Sequence, residues 1–147
     1  MVVPDRDLAR SIRFAMQATK DLDLLSPQAE GTAVDRLAME FGHDVAKALI
    51  PKKKADAIAV FEVLAPFWGE NQLANMVFTR SDPETVKLYG CYDCDATRTG
   101  YPPRPCTFKK RLLETVFRDA LGTTVHFDEL ECCKTGGAAC VFRLRIR

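Results

Sequence analysis

The chain has 147 residues, of which 47% are hydrophobic and 28% are charged, values that are typical of one globular domain. With 21 basic and 20 acidic residues the formal net charge is +1, so no overall electrostatic attraction to nucleic acid or to an anionic membrane is expected. The sequence therefore predicts a single domain over residues 1–147 and excludes disordered, collagen-like and coiled-coil chains.

The pattern of apolar residues predicts a cytoplasmic location. The apolar stretches around residues 57–61 and 63–68 are separated by Glu62 and are too short to span a bilayer. The first seven residues include three charged side chains and no apolar segment, so we expect no signal peptide and no membrane partner. In a reducing compartment the six cysteines are expected to serve as metal ligands or redox groups, in preference to forming disulfides.

Helical periodicity dominates the first part of the chain. Apolar residues recur at helical spacing from Leu8 to Leu22, which predicts a first helix. A second helix is expected to begin near Thr32, where the spacing is that of a capping box, and to end before Pro51. A third helix is predicted over residues 54–66, with Ile58, Phe61 and Leu64 buried.

The periodicity then changes from that of a helix to that of a strand. Residues 72–80 alternate between apolar and polar, which predicts a strand. Residues 81–84 have the composition of a turn, residues 85–91 are predicted to form the returning strand, and residues 93–105 a loop. The side chains predicted on the buried face of the first strand are Ala74, Met76 and Phe78.

The last part of the chain predicts one helix followed by a hairpin. An amphipathic helix is expected over residues 106–121 with Gly122 after its end, and strands over residues 123–132 and 139–146. This order of elements predicts an α+β (mixed α/β) fold in which the N-terminal helices pack with an antiparallel sheet and the C-terminal helix is followed by a β-hairpin.

Chain dimensions bring four potential metal ligands to one end of this last helix. The helix rises about 22 Å at 1.5 Å per residue, and a returning strand at about 3.3 Å per residue comes level with Cys106 near Glu129. Cys132 and Cys140 are expected to face each other across the final hairpin. Three thiolates and one carboxylate suit a tetrahedral divalent ion, and zinc is the default. Because Glu129 and Cys132 would point to opposite faces of a regular strand, a bulge near Glu131, or the end of the strand there, is required.

Other interpretations of the cysteines stay open. Cys91 and Cys94 have CxxC spacing, so a zinc site with one of them in place of Glu129, or an iron–sulphur cluster, is an alternative. Cys133 is a further thiol beside Cys132 and leaves the ligand set open. The structural alternative is that the cysteines are small buried hydrophobes and Glu129 a surface carboxylate.

The same residues resemble the C-terminal signature of the 4-vinyl reductase domain family. The resemblance covers about forty residues between Cys106 and Phe142, and it is carried by Cys106-Thr107-Phe108, by residues 127–132, by Gly136 and by Cys140-Val141-Phe142. It implies a domain that binds small hydrophobic or aromatic molecules and often forms a homodimer. In the sensor members of the family the counterparts of Cys106, Glu129, Cys132 and Cys140 hold a structural zinc.

One departure from the family concerns the C-terminal helix. The family usually has small residues, often glycine, at the positions of Arg111 and Thr115, so we expect the packing of this helix or the pocket beside it to differ.

The resemblance also suggests where a ligand would bind. Aromatic and sulphur-containing side chains gather around the predicted switch from helix to strand, and we expect an apolar pocket there, with the Trp68 N–H orienting the ligand. Core packing is the alternative interpretation for each of them. The candidate ligand-binding residues are Trp68, Phe61, Phe67, Met76 and Phe78.

The first function hypothesis is therefore a stand-alone zinc-containing domain that binds a small hydrophobic or aromatic molecule, as a sensor or carrier. The alternatives are an enzyme or accessory protein acting on a tetrapyrrole vinyl group, and a dimerising interaction module. The sequence contains no GxGxxG segment, no P-loop and no acid–base pair, so no catalytic residue is assigned and catalysis would rest on the resemblance alone. The basic residues near Lys109 and Arg143 lack interleaved aromatics, which disfavours a nucleic-acid partner.

Overall fold

The computed structural model describes residues 3–25, 30–79, 81–91, 107–131 and 139–146. These residues form four helices, which are α1 (Val3–Leu25), α2 (Glu30–Leu49), α3 (Ala57–Glu70) and α4 (Thr107–Leu121). They also form four strands, which are β1 (Asn75–Thr79), β2 (Asp82–Tyr89), β3 (Val125–Glu131) and β4 (Cys140–Ile146).

The four strands form one antiparallel sheet in the order β1-β2-β4-β3. Helix α4 packs against β3 on one side and against α2 on the other, while α3 packs on β1. The predicted α+β fold, with N-terminal helices, an antiparallel sheet and a hairpin after the last helix, is confirmed.

Helix α4 is more deeply buried than an amphipathic surface helix. The apolar side chains of Leu113, Val116, Phe117 and Ala120 are buried, and Lys109, Glu114 and Thr115 are buried with them. The reason is that α4 lies between α2 and the sheet, so that two of its faces are covered and few positions are left for polar side chains.

The bounds predicted for the third helix, residues 54–66, were wrong, because α3 begins at Ala57 and continues through Pro66 to Glu70. The helix ends instead in a Schellman motif, in which the N–H of Leu73 donates to the carbonyl of Trp68 at 2.9 Å and the N–H of Gln72 to that of Gly69 at 3.2 Å. Gln72 takes the left-handed conformation, with φ of 59°, at a position where glycine is usual. The sequence therefore has no glycine at the position that ends this helix.

Other boundaries also differ from the prediction. Strand β2 begins at Asp82, inside the segment expected to be a turn, and β1 spans five residues. The connection is short because Thr79 pairs with Asp82 across a register shift and the hydroxyl of Thr79 accepts the Asp82 N–H at 3.2 Å. Helix α2 begins at Glu30, before the expected capping residue Thr32.

The residue that ends α4 was predicted. Gly122 has φ of 71°, and its N–H donates to the carbonyl of Arg118 at 2.8 Å, as expected for a residue just after a helix. A Cβ on Gly122 would lie 2.8 Å from Lys53 Nζ, so this ammonium lies at the C-terminus of α4, where the helix dipole favours a cation.

Candidate functional site

The structure brings the predicted ligand-binding residues into the core between α3 and the sheet. Phe61, Phe67, Trp68 and Met76 are buried, and Phe78 packs against them half-buried. The rings of Phe61 and Phe78 are stacked, with centroids 5.2 Å apart, and those of Phe67 and Trp68 are nearly perpendicular at 5.8 Å. We call these five residues the aromatic cluster. Trp68 and Phe67 lie within α3, not after it, which is where the expected boundary was wrong.

The indole nitrogen of Trp68 has an unusual environment for a buried polar atom. Its side chain is 0% exposed, and within the described part of the chain no group accepts a hydrogen bond from its indole Nε1. Buried tryptophans usually place this N–H against an acceptor, since leaving it unpaired costs about 1–3 kcal/mol. The carbonyl of Trp68 is held by Leu73, so the residue is fixed in position by the end of its helix.

A chain of ring contacts connects the aromatic cluster to β4. The ring centroids of Phe61 and Phe117 of α4 are 4.8 Å apart, and those of Phe117 and Phe127 of β3 are 5.2 Å apart. Phe127 in turn meets Phe142 of β4 at 6.3 Å. Two residues before Phe142 on the same strand lies Cys140, so this continuous apolar layer joins the aromatic cluster to the candidate metal ligands.

Two of the predicted metal ligands lie on the face of the sheet that is turned toward α4. Cys140 and Phe142 alternate with the outward residues of β4, and Glu129 pairs with Phe142, which makes Glu129 and Cys140 diagonal neighbours. Cys140 is 0% exposed, and one carboxylate oxygen of Glu129 is buried. We call this region the Cys140 end of the sheet.

The predicted bulge in β3 is present. The pairing of β3 with β4 shifts register between Glu129 and Glu131, so that Glu129 pairs with Phe142 and Glu131 with Val141. A bulge places two residues of one strand opposite one residue of its partner. In a regular strand, Glu129 and Cys132 would point to opposite faces of the sheet. The bulge removes this conflict as far as Glu131, the last described residue of β3.

The other candidate metal ligands are the remaining cysteines, and the structure describes one of them. Cys106, Cys132, Cys94 and Cys133 lie outside the described residues. Cys91 is buried, and its thiol donates to the carbonyl of Leu88 at 3.4 Å, while Leu88 pairs with Cys140. Among the residues that the structure describes, no group of three histidine, cysteine, aspartate or glutamate side chains is arranged to hold a metal.

Lys109 is a component of this region that the sequence analysis missed. It lies in the first turn of α4 with 1% exposure, and its Nζ donates to Cys140 Sγ at 3.5 Å. In the sequence, Lys109 was considered only among the basic residues weighed for nucleic-acid binding. Its spacing from Leu113, four residues on, could have placed it on the buried stripe.

The two residues that depart from the family pattern, Arg111 and Thr115, each have a defined contact in the structure. Glu114 accepts from Arg111 at 3.0 Å and from the backbone N–H of Phe127 at 2.8 Å. Arg111 also lies 3.6 Å from Asp35 of α2. Thr115 is the other residue in place of a small one, and it packs against Gly42 of α2.

Among the described residues, each histidine lies near a carboxylate. His43 is exposed, and its Nδ1 lies 2.6 Å from Asp119 of α4, a contact that the sequence did not predict. His126 is 3.9 Å from Glu114. Arg143 and Arg145, on the outer face of β4, are paired with Glu84 and Asp128. In the part of the chain that the structure describes, no helix has the length and apolar character needed to span a membrane.

Sequence comparison gives one curated relative. No protein-family model matches the sequence. An uncharacterised protein of Methanocaldococcus jannaschii is 26% identical over 107 residues, which are 73% of this chain and 54% of that protein. The chain thus spans about half the length of the curated relative that it matches.

Structure comparison gives similar folds at low sequence identity. A vinyl-4-reductase family protein from Methanocaldococcus jannaschii matches with a TM-score of 0.61 over 100% of this chain and 96% of that one, at 15% identity. The phenol-responsive sensory domain of the transcription activator PoxR, solved with phenol, has a TM-score of 0.64 over 95% of this chain and 74% of its own, at 10% identity. A trafficking protein particle complex subunit 3 from Naegleria fowleri, covalently bound to palmitic acid, has a TM-score of 0.61 over 93% and 95%, at 13% identity. The fold of this chain is therefore that of a vinyl-4-reductase family protein, as the C-terminal residues indicated.

Proposed function

We propose that this chain binds a small hydrophobic or aromatic molecule, as a sensor or carrier domain. The observation that carries the proposal is the buried indole N–H of Trp68, which has no acceptor among the described residues. The similarity of fold to a sensory domain solved with phenol supports the same class of ligand. We further propose that the ligand has one acceptor atom, such as a phenolic oxygen, for this N–H.

The aromatic cluster suits such a ligand. Small-molecule sites are lined mainly by apolar and aromatic side chains, with few polar groups that fix orientation. Phe61 and Phe78 supply ring faces, Met76 supplies an adaptable thioether, and Trp68 supplies the single donor. An apolar ring with one oxygen would match this set, whereas a charged ligand would have no counter-charge among these residues.

The test compares phenol with toluene, which has a similar size but no acceptor. Isothermal titration calorimetry of the wild-type chain should show phenol binding more tightly by about ten- to a hundredfold, the value of one buried hydrogen bond. Trp68→Phe should lose this preference while still binding toluene. Because the chain has one tryptophan, wild-type fluorescence excited at the red edge should also change when phenol binds.

The matched control is Phe67→Leu, which reduces the aromatic surface beside Trp68 but keeps the indole N–H. We expect it to weaken phenol and toluene by the same factor and to keep the preference for phenol. Absence of binding of both probes to the wild-type chain, or an unchanged preference in Trp68→Phe, would contradict the proposed site.

We also propose that Cys106, Glu129, Cys132 and Cys140 hold one zinc ion. Support comes from Cys140 and Glu129, which share one face of the sheet next to a bulge, and from the donor set, since thiolates with a carboxylate suit zinc. A site closed by four protein ligands has no open position for water, so the ion would stabilise the fold.

Elemental analysis and an absorption spectrum of protein purified without added metal test the zinc proposal. Colourless protein with about one zinc per chain is the expected result. Brown protein that contains iron would favour the alternative with Cys91 and Cys94, and protein without metal would contradict both.

Homodimerisation through the N-terminal helices is a further part of the proposal. It is supported by Phe14 on α1, whose side chain is 78% exposed and would be covered by a second copy. Size-exclusion chromatography with light scattering measures the mass directly. A mass equal to that of one chain at micromolar concentration would contradict the homodimer.

A further inference from the structure

We propose that Lys109 is the counter-charge of the metal site at the Cys140 end of the sheet, and that it holds the Cys140 sulphur in an unreactive state. This inference rests on the proposed zinc site and extends it to a residue that binds no metal itself. Lys109 would act as a positioning residue through its N–H···S hydrogen bond.

The burial of Lys109 requires an explanation. Lysines are almost never fully buried unless their ammonium is paired, yet Lys109 is 1% exposed and lies next to Phe108, also buried, at the start of α4. The N-terminus of a helix is an unfavourable place for a cation, because the helix dipole is positive there. An anionic group close to the ammonium would have to compensate for both costs.

The position of the Nζ atom identifies a sulphur as one such partner. Lys109 Nζ is 3.5 Å from Cys140 Sγ, and Cys140 is itself 0% exposed. A neutral thiol would be a weak acceptor for an ammonium, whereas a thiolate forms a charge-assisted hydrogen bond. A metal-bound cysteine is a thiolate, so the contact fits the proposed role of Cys140 as a zinc ligand.

The charge of the proposed ligand set agrees with this role. Three thiolates and one carboxylate around a divalent ion leave a formal excess of about two negative charges, in a region where Cys140 is shielded from water. Lys109 would offset one of them. A hydrogen bond to sulphur also lowers the energy of the sulphur lone pairs, so the bound thiolate becomes a poorer nucleophile. Substitution of a residue that hydrogen-bonds to a metal ligand typically lowers the metal affinity by about ten- to a hundredfold.

The test uses Lys109→Met, which keeps the length of the side chain and removes its charge and donor. The full-length chain is loaded with zinc, and its affinity is measured by competition with a chromophoric chelator. We expect the affinity to fall by about ten- to a hundredfold, and zinc release on treatment with N-ethylmaleimide to become faster. In the cobalt-substituted protein the sulphur-to-cobalt charge-transfer band should move to longer wavelength, a change that a packing defect would not cause.

Lys110→Met is the matched control, since it removes a half-buried lysine of the same turn and should leave affinity, release rate and band unchanged. Lys109→Gln is a second neutral variant in case the first folds poorly, and circular dichroism checks the fold of each. Suppose that the wild-type chain binds zinc and that both Lys109 variants have the same zinc affinity and the same charge-transfer band as the wild type. That result would overturn the role of Lys109 but not the metal site. Absence of zinc binding by the wild-type chain would overturn the metal site and the role of Lys109 together.

Discussion

The carboxylate of Glu114 on α4 accepts the backbone N–H of Phe127 on β3 at 2.8 Å. Strand β3 is at the edge of the sheet, so this N–H faces away from β4 and needs a partner of another kind. On the same edge, Arg118 Nε donates to the carbonyl of Val125 at 3.1 Å. Side chains of α4 thus satisfy the edge of β3 and fix the helix against the strand that carries Glu129.

Glu114→Ala is predicted to destabilise the domain by about 2–3 kcal/mol, because it leaves the buried N–H of Phe127 unpaired and removes one of the two carboxylate partners of Arg111. The free energy of unfolding can be measured by urea titration at neutral pH. Glu114→Gln keeps an acceptor for the N–H and should cost about 1 kcal/mol. Equal stability of the alanine variant and the wild type would show that the hydrogen bond contributes nothing to the docking of α4.

Helices α2 and α4 approach so closely at Gly42 that a side chain does not fit there. A Cβ on Gly42 would lie 2.6 Å from the Cβ of Thr115 and 2.8 Å from the carbonyl oxygen of Leu112. Gly42→Ala should therefore destabilise the domain by about 1–3 kcal/mol through overpacking, although alanine favours the helix.

The control for this prediction is Gly69→Ala in α3, where an added Cβ would meet nothing within 4 Å. This substitution should be neutral or should stabilise the domain by up to about 1 kcal/mol. Both effects are read from the melting temperature and from the urea midpoint. If the two alanine variants had the same stability, the close contact between α2 and α4 would be in error.

The fold was predictable because its signals are local. The change in periodicity after residue 70, Gly122 at the end of α4, and the placement of Met76 and Phe78 on one face of β1 all follow from side-chain spacing. The bulge near Glu131 was predictable for a different reason, since two candidate ligands on one strand had the wrong parity.

Other features depend on tertiary packing and could not be predicted locally. Helix α3 continues through Pro66 because its end is set by the Schellman hydrogen bonds around Gln72, a residue that does not announce a helix end. Lys109 and Glu114 are buried because α4 is covered on two faces. Polar residues in a helix are expected to face solvent. That expectation fails for α4 because both α2 and the sheet cover it, which the local sequence does not indicate.

The last prediction concerns the register of the C-terminal hairpin. The pairing in the described residues ends with Glu131 opposite Val141, and the next residues along the two strands in sequence are Cys132 and Cys140. We therefore expect Cys132, and not Cys133, to be a ligand of the proposed zinc.

Cys132→Ala should lose zinc and destabilise the domain severely, because structural zinc contributes folding free energy of the order of ten kcal/mol in small domains. Cys133→Ala should keep its metal and cost about 1 kcal/mol, as a small change in packing does. Zinc content and melting temperature are measured for both variants side by side. If Cys133→Ala released the metal while Cys132→Ala retained it, the register would be wrong by one residue, and the assignment of Glu129 as a ligand would fail with it.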